Sequence, residues 1–368
     1  MGDYQAWRLT RRMALLKGGL VAAVAGSGLR LADGRARAGQ VLAAGDNAAT
    51  ALSHGHGDDN TVVGDVDHAA NGFDPWQIAT EFDYGKVTVT ADGRRLREWT
   101  VRAEDRDIEI APGVKFAAWT FNGRIPGPTL RCVEGERLRI TLVNASAHPH
   151  SMHFHGIHAA RMDGVPGAGL VEPGGTFVYE FDAAPFGCHL YHCHALPLKR
   201  HIHKGLYGVF IVDPDPARHP EAAAAANARR HGAPEHARWQ EYVLVMNGFD
   251  TNFDDENEFY AVNTVPFAYF KRPLRIERAR PVRLYLVNIT EFDPINSLHV
   301  HANFFDYYDH GTTLTPTLRT VDTIMQCQGQ RGIVEMSFAR HEPGLYMFHA
   351  HQSEFAELGW MSHFEVVA

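Results

Sequence analysis

The chain has 368 residues, 45% hydrophobic and 21% charged, with 34 Gly, 19 Pro and 4 Cys. That excludes a disulfide-built miniprotein, a coiled coil and a disordered tail protein, and it suits one large or two medium domains. The net charge of −8 argues against a nucleic-acid binder, whereas 23 His exceed what an ordinary core uses and put metal chemistry first.

The N-terminal stretch carries Arg11-Arg12, Lys17, an apolar run from Gly18 to Leu29 and the small-residue site Ala36-Arg37-Ala38. The run is too short to span a bilayer, so residues 1–38 are expected to be an export signal. The pattern TRRMALLK is similar to twin-arginine signals, which implies a periplasmic or secreted protein with no integral membrane span after cleavage. Residues 39–82 show little periodicity and are expected to be a flexible lead-in, with His54 and His56 solvated rather than ligating.

From about Tyr84 the pattern turns to β-structure: alternating runs such as KVTVTA, RLRITLVN and TFVYEF are split by Gly/Pro turns. Residues 83–213 and 239–368 are predicted to form two β-domains joined by a linker over 214–238. The two halves repeat each other. Thr129–Asn144 parallels Pro273–Asn288, SMHFH (151–155) parallels SLHVH (297–301), and GCHLYHCH (187–194) parallels GLYMFHAH (344–351). The predicted fold is all-β, two Greek-key β-sandwiches.

Seven His-x-His pairs occur, at 54/56, 148/150, 153/155, 192/194, 201/203, 299/301 and 349/351. Four of them fall at matching places in the repeats. On a strand, residues i and i+2 share a face and i+1 points away. His192 and His194 therefore project together with His153 and His155, while Cys193 and His150 project oppositely. A third ligand for that opposite face is expected from LKRHIHKGLYG, as His201 or His203. Two His and one Cys are the blue-copper pattern, and imidazole-rich, carboxylate-poor sets suit copper better than magnesium or calcium. Zinc is the competitor, but no Cys-x-x-Cys knuckle is present. The second half keeps His299, His301, His349 and His351. It has Asn296, Ala350 and Phe355 where the first half has His150, Cys193 and His201. Eight imidazoles from two domains could hold a cluster of copper ions at an interface.

These residues resemble two-domain multicopper oxidases. The pattern H-x-x-H-x-H stands at His150, His153 and His155, H-C-H stands at 192–194, and HFHGIHAARMDGVPGAGLVEPGGTFVYEF (153–181) is similar to the laccase pattern. Copper nitrite reductases are the close neighbour. The resemblance implies cupredoxin-like domains and four coppers per chain. It implies a type 1 copper on His150, Cys193 and His201, a type 2 copper on His153 and His299, and a type 3 pair on His155, His192, His194, His301, His349 and His351. It also implies a homotrimer in which the cluster forms between the first domain of one chain and the second domain of the next. His148 is a rival to His150. The axial position is Leu206 rather than Met, which is expected to be non-ligating and to raise the potential. Asp163 matches an acid near the type 2 copper, and Glu354 is a further acid candidate. The implied activity is one-electron oxidation of a phenol, aromatic amine or metal ion coupled to reduction of O2 to water. Nitrite reduction and non-enzymatic copper carriage are the competing classes. His158, His189, His203, His310 and His363 are expected to be structural, and Cys132 and Cys188 to be a candidate disulfide in an oxidising compartment.

Overall fold

The computed structural model describes residues 65–221 and 239–368. The stretch expected to be an export signal, His54, His56 and most of the expected 214–238 linker lie outside the described residues. Among the described residues, no helix is long and apolar enough to cross a membrane.

The chain builds two Greek-key β-sandwiches of the cupredoxin type, each from two curled sheets. In the first, one sheet runs Lys86–Val89, Arg95–Ala111, Arg137–Asn144, Thr176–Asp182, with Val114–Phe121 pairing beside Arg95–Ala111. The facing sheet runs Leu130–Val133, Tyr207–Asp213, Gly187–His192, His153–Phe154. The second sandwich has a six-stranded and a five-stranded sheet over Gln240–Phe249 to Met361–Val367. Strand Arg137–Asn144 shows the reason for the layering: Leu138, Ile140 and Leu142 alternate with polar residues and are fully buried. They pack with Phe154, Tyr179 and Phe210 in one core.

Strand Gly187–His192 is buried along its whole length because both of its faces are covered. Tyr191 packs into the first core. Cys188 and Leu190 join Val243, Tyr285 and Ile333 of the second sandwich in a shared apolar cluster. A charged lock reinforces this interface. The Arg131 guanidinium, fully buried, donates to Asp213 at 2.8 and 3.0 Å and to Glu241 of the second sandwich at 3.1 Å.

The part of the lead-in that is described is structured, contrary to expectation. Helix His68–Asn71 is capped by Asp67, and helix Pro75–Thr80 by Asp74 with Pro75 at its first position. Phe73, Ile78 and Ala79 are buried. Asn71 bonds Glu109 of the first sandwich, and Tyr269 of the second donates to the Pro75 carbonyl at 2.6 Å. Helices of four and six residues carry too few turns to show a period, and caps plus tertiary burial hold them.

The candidate disulfide does not form. Cys132 and Cys188 are both free and buried. They lie on the two strands flanking Tyr207–Asp213, paired with Val212 and Ile211 respectively. Two strand spacings, about 9.5 Å, exceed the reach of a disulfide. The two thiols also belong to different cores.

Candidate metal centres

The repeated motifs fall on equivalent strand pairs. His153 pairs with His192 in the first sandwich, and His299 with His349 in the second. The hydrogen-bonded strands are shorter than the motifs: Gly187–His192 ends before Cys193, and His150 makes only an isolated bridge to Val171. The alternation of faces nevertheless continues past the strand ends, so Cys193 turns inward while its two His neighbours face the rim.

His150, Cys193 and His201 come together in a dry pocket, at 0, 0 and 3% exposure. The Nδ1 atoms of His150 and His201 are 3.2 Å apart, and Cys193 Sγ lies 3.9 and 3.3 Å from them. Short helix Leu198–His203 delivers His201. The ring of His150 is held in one tautomer. Ser146 Oγ donates to Asp105 at 2.6 Å, so it accepts the Nε2 proton of His150 at 2.9 Å and leaves Nδ1 with its lone pair toward the pocket. Burial, then the neighbouring His201, lowers the His150 pKa to about 3. Burial, then His148 and Arg200, lowers that of His201 to about 4. Both rings are therefore neutral donors near pH 7. Burial pushes the Cys193 thiol up, against backbone N–H donation from Ala195 and Ser151. Leu206 is fully buried, and its carbonyl accepts the Cys193 N–H at 2.9 Å. The two rivals stand apart. His148 is exposed. His203 accepts the Asp250 N–H at 3.1 Å and packs edge-on against Phe116 and Phe292.

The other face of the first sandwich groups His153, His155 and His192, with the His194 ring 5.2 Å from His153. The Nε2 atoms of His155 and His192 are 3.2 Å apart. That is close to the separation of about 3.3 Å that two nitrogens sharing one tetrahedral ion would have. His192 Nδ1 donates to the Cys193 carbonyl at 2.9 Å, and His153 Nδ1 to the Asp163 carbonyl at 2.9 Å, which frees both Nε2 atoms. Burial lowers the pKa of His192 to about 4 and of His155 to about 2. The Asp163 carboxylate, partly exposed, lies 3.2 Å from His153 Nδ1 and 3.9 Å from His158 Nε2.

The second sandwich repeats this arrangement. His299, His301 and His349 form a group, and the His351 ring lies 5.3 Å from His299. His301 and His349 face each other through Nε2 at 2.9 Å, while His349 Nδ1 donates to the Ala350 carbonyl. His299 Nδ1 bonds the Asp322 carbonyl and Thr323 Oγ1. Ser297 Oγ accepts the His351 N–H at 2.8 Å, as Ser151 Oγ accepts that of His194 at 3.0 Å. The counterpart of the Cys193 pocket is filled instead. Asn296 bonds Thr290, Ala350 is fully buried, and Phe355 stacks on Tyr260 at 3.9 Å. His301 and His351 are exposed, and among the described residues no ring contact joins this set to that of the first sandwich. Glu354 is exposed on helix Ser353–Glu357.

Several residues that hold these groups were not singled out in the sequence: Ser146 and Asp105 on His150, Ser151 on Cys193, Thr323 on His299, and Arg331. Arg331 crosses from the second sandwich, donating to His155 Nδ1 at 3.2 Å, His189 Nδ1 at 3.3 Å and the Cys188 carbonyl at 3.3 Å. His189 and His363 have structural partners, the Pro185 carbonyl and the Phe270 ring.

Two imidazole Nδ1 atoms and a sulfur converging in a closed pocket fit copper of the blue type, and the imidazole-rich His sets fit copper as well. Known proteins agree. Residues 102–217 and 241–368 match two family models, each described as multicopper oxidase. A crystal structure of a multicopper oxidase is 52% identical, covering 82% of this chain and all of that one, with a TM-score of 0.74. Copper nitrite reductase from Nitrosomonas europaea is 27% identical over 74% of this chain and 94% of that one, with a TM-score of 0.63. The copper-containing nitrite reductase of Neisseria gonorrhoeae is 33% identical over 112 residues, 30% of this chain and 28% of the relative. Copper resistance protein A of Escherichia coli is 39% identical over 115 residues, 30% and 18% of the two lengths. The matched stretch thus spans less than a third of these curated relatives. The chain belongs to the two-domain, cupredoxin-type multicopper oxidase and nitrite reductase family.

Proposed function

We propose that this protein is a laccase-like oxidase that takes single electrons from a small reducing substrate and delivers four to O2, forming two waters. His150, Cys193 and His201 hold the type 1 copper. His153 and His299 hold the type 2 copper. His155, His192, His194, His301, His349 and His351 hold the type 3 pair. Bound copper supplies the one-electron redox chemistry and the open positions at which O2 is reduced. The chain's own residues supply the rest. The backbone from Cys193 to His192 and His194 gives a covalent path between the two ligand sets. The carbonyls of Asp163, Cys193, Ala350 and Asp322 hold the Nδ1 protons of His153, His192, His349 and His299. The Asp163 carboxylate, 3.2 Å from His153 Nδ1 and partly open to solvent, is the proton donor to that side of the cluster.

The observation that supports this reading is the pair of matching His groups, His153, His155 and His192 with His194 beside them and His299, His301 and His349 with His351 beside them, the second of which exposes His301 and His351 to solvent in the single chain. The halves meet between the first sandwich of one chain and the second of the next, in a homotrimer. Nitrite reduction, favoured by the nitrite reductases among the relatives, needs one three-His copper besides the blue site and leaves the other imidazoles unused. The protein is exported by the twin-arginine route, and it acts on phenols, aromatic amines or metal ions.

The copper-loaded protein is given hydroquinone in an oxygen electrode. Four electrons per O2, that is two hydroquinones converted to quinone per O2, with no peroxide released, is the expected result. One hydroquinone per O2 with peroxide, or nitric oxide from nitrite without O2 uptake, contradicts it. A complementation experiment tests the shared cluster. Chains lacking His155 and His192 are co-refolded with chains lacking His301 and His349, and recovered O2 uptake is expected only if clusters form between subunits.

A further inference from the structure

We propose that Trp119 is the bridge by which the reducing substrate passes its electron to the type 1 ligands, and that exposed His148, resting on the same indole, forms with it the docking step for a planar aromatic donor. This rests on His150, Cys193 and His201 being the type 1 ligands.

The ligands themselves are closed to solvent. His150 and Cys193 have no exposed surface, and His201 keeps 3%. Trp119, at 8% exposure on strand Val114–Phe121, lies against both imidazoles, its ring centroid 4.7 Å from His201 and 5.3 Å from His150. His148, exposed, lies 4.6 Å from the same indole at 44°. The three contacts form a continuous aromatic path from solvent to two of the three ligand side chains. The Trp119 backbone is tied to the same segment: its amide N–H donates to the Lys204 carbonyl at 2.9 Å, directly after the helix that carries His201, and Lys204 Nζ lies 5.5 Å from the indole ring centre.

A cavity on the far side of the same short helix does not lead to His201. It holds about 350 Å³ beside Lys199, Arg200, His203, Asp250 and Phe253. His203 lines it, and residues two apart on a helix point to nearly opposite sides, so His201 faces away. The charges that act on Lys204 are mixed, Arg200 against Asp105 and Asp107. No single sign marks the rim for a charged partner, and the imidazole and indole faces suit a flat ring instead. In the transfer, the donor loses one electron and cupric type 1 copper becomes cuprous. A phenol's proton leaves to water, and Trp119 carries no net change.

The test uses the copper-loaded wild type, Trp119→Leu, Trp119→Phe and His148→Ala. Copper content, the blue absorption band and the type 1 potential are measured first. The rate at which hydroquinone bleaches the blue band is then followed without O2. Trp119→Leu is expected to keep its copper and band and to bleach slower by about tenfold or more, since small losses of contact cost that much in a positioned reaction. Trp119→Phe restores most of the rate. His148→Ala, an exposed change that leaves the fold intact, raises the half-saturating hydroquinone concentration about three- to tenfold, the value of one aromatic contact. Wild-type bleaching in Trp119→Leu, or an unchanged half-saturation in His148→Ala, overturns the proposal. A wild type without a blue band fails at the earlier step, the type 1 assignment.

Discussion

Ser146→Ala isolates the device that readies His150 for a metal. Ser146 is 5% exposed, and its hydroxyl is polarised by Asp105 at 2.6 Å while accepting from His150 Nε2 at 2.9 Å. Removing the hydroxyl leaves the Nε2 proton of a fully buried ring without a partner, a cost of about 1–3 kcal/mol. It also frees the ring to turn Nδ1 away from Cys193 and His201. Loss of such a support weakens metal binding about 10- to 100-fold, or about 1.4–2.8 kcal/mol, in line with that cost. The assay is copper titration against a competing chelator, read from the blue band. The half-clusters serve as internal control, because His153 and His192 take their orientation from the Asp163 and Cys193 carbonyls. An unchanged blue-site affinity, or equal losses at both sites, would falsify the tautomer argument.

Asp163→Asn is expected to slow O2 reduction by about 10²–10⁴, the usual contribution of a positioned acid or base, with the blue band unchanged; equal turnover removes Asp163 from proton delivery. Leu206→Met is expected to lower the type 1 potential, and an unchanged potential in a voltammetric titration removes Leu206 from the axial position. Arg131→Met strands the buried carboxylates of Asp213 and Glu241 and is expected to cost about 3–5 kcal/mol in denaturant unfolding. Acid unfolding of the wild type follows the same lock. Despite burial, Arg131 and Arg283 hold Glu241 down at about 2. A depressed carboxylate stabilises the fold above its unfolded pKa near 4.5 and loses that contribution as pH falls toward 2. Stability that stays flat from pH 5 to 2 would contradict the pairing.

Much of the site was legible because strand parity is a strict rule. His-Cys-His has to send Cys193 one way and its neighbours the other, and the repeat marks which pairs matter. The lack of a second two-His, one-Cys pocket was equally visible in Asn296, Ala350 and Phe355, and Phe355 stacking on Tyr260 shows the space filled. What parity cannot show is burial. His148 and His150 have the same parity along the chain and differ in that one is exposed and the other enclosed. His201 and His203 separate because their segment is helical, which turns residues two apart to opposite sides. Ser146, Arg331 and Trp119 carry no motif; they act through contacts made only when distant segments meet. The same holds for the helices at His68–Asn71 and Pro75–Thr80, where Asp74-Pro75 was a readable start signal but the burial of Ile78 and Ala79 was not.

The most direct measurement is copper per chain together with the mass of the intact assembly, by elemental analysis and native mass spectrometry of the purified protein. A trimer with four coppers per chain, half of them silent in the EPR spectrum, is the expected result. Two coppers per chain, or a monomer that holds its full complement of copper, would contradict a cluster shared between neighbouring subunits.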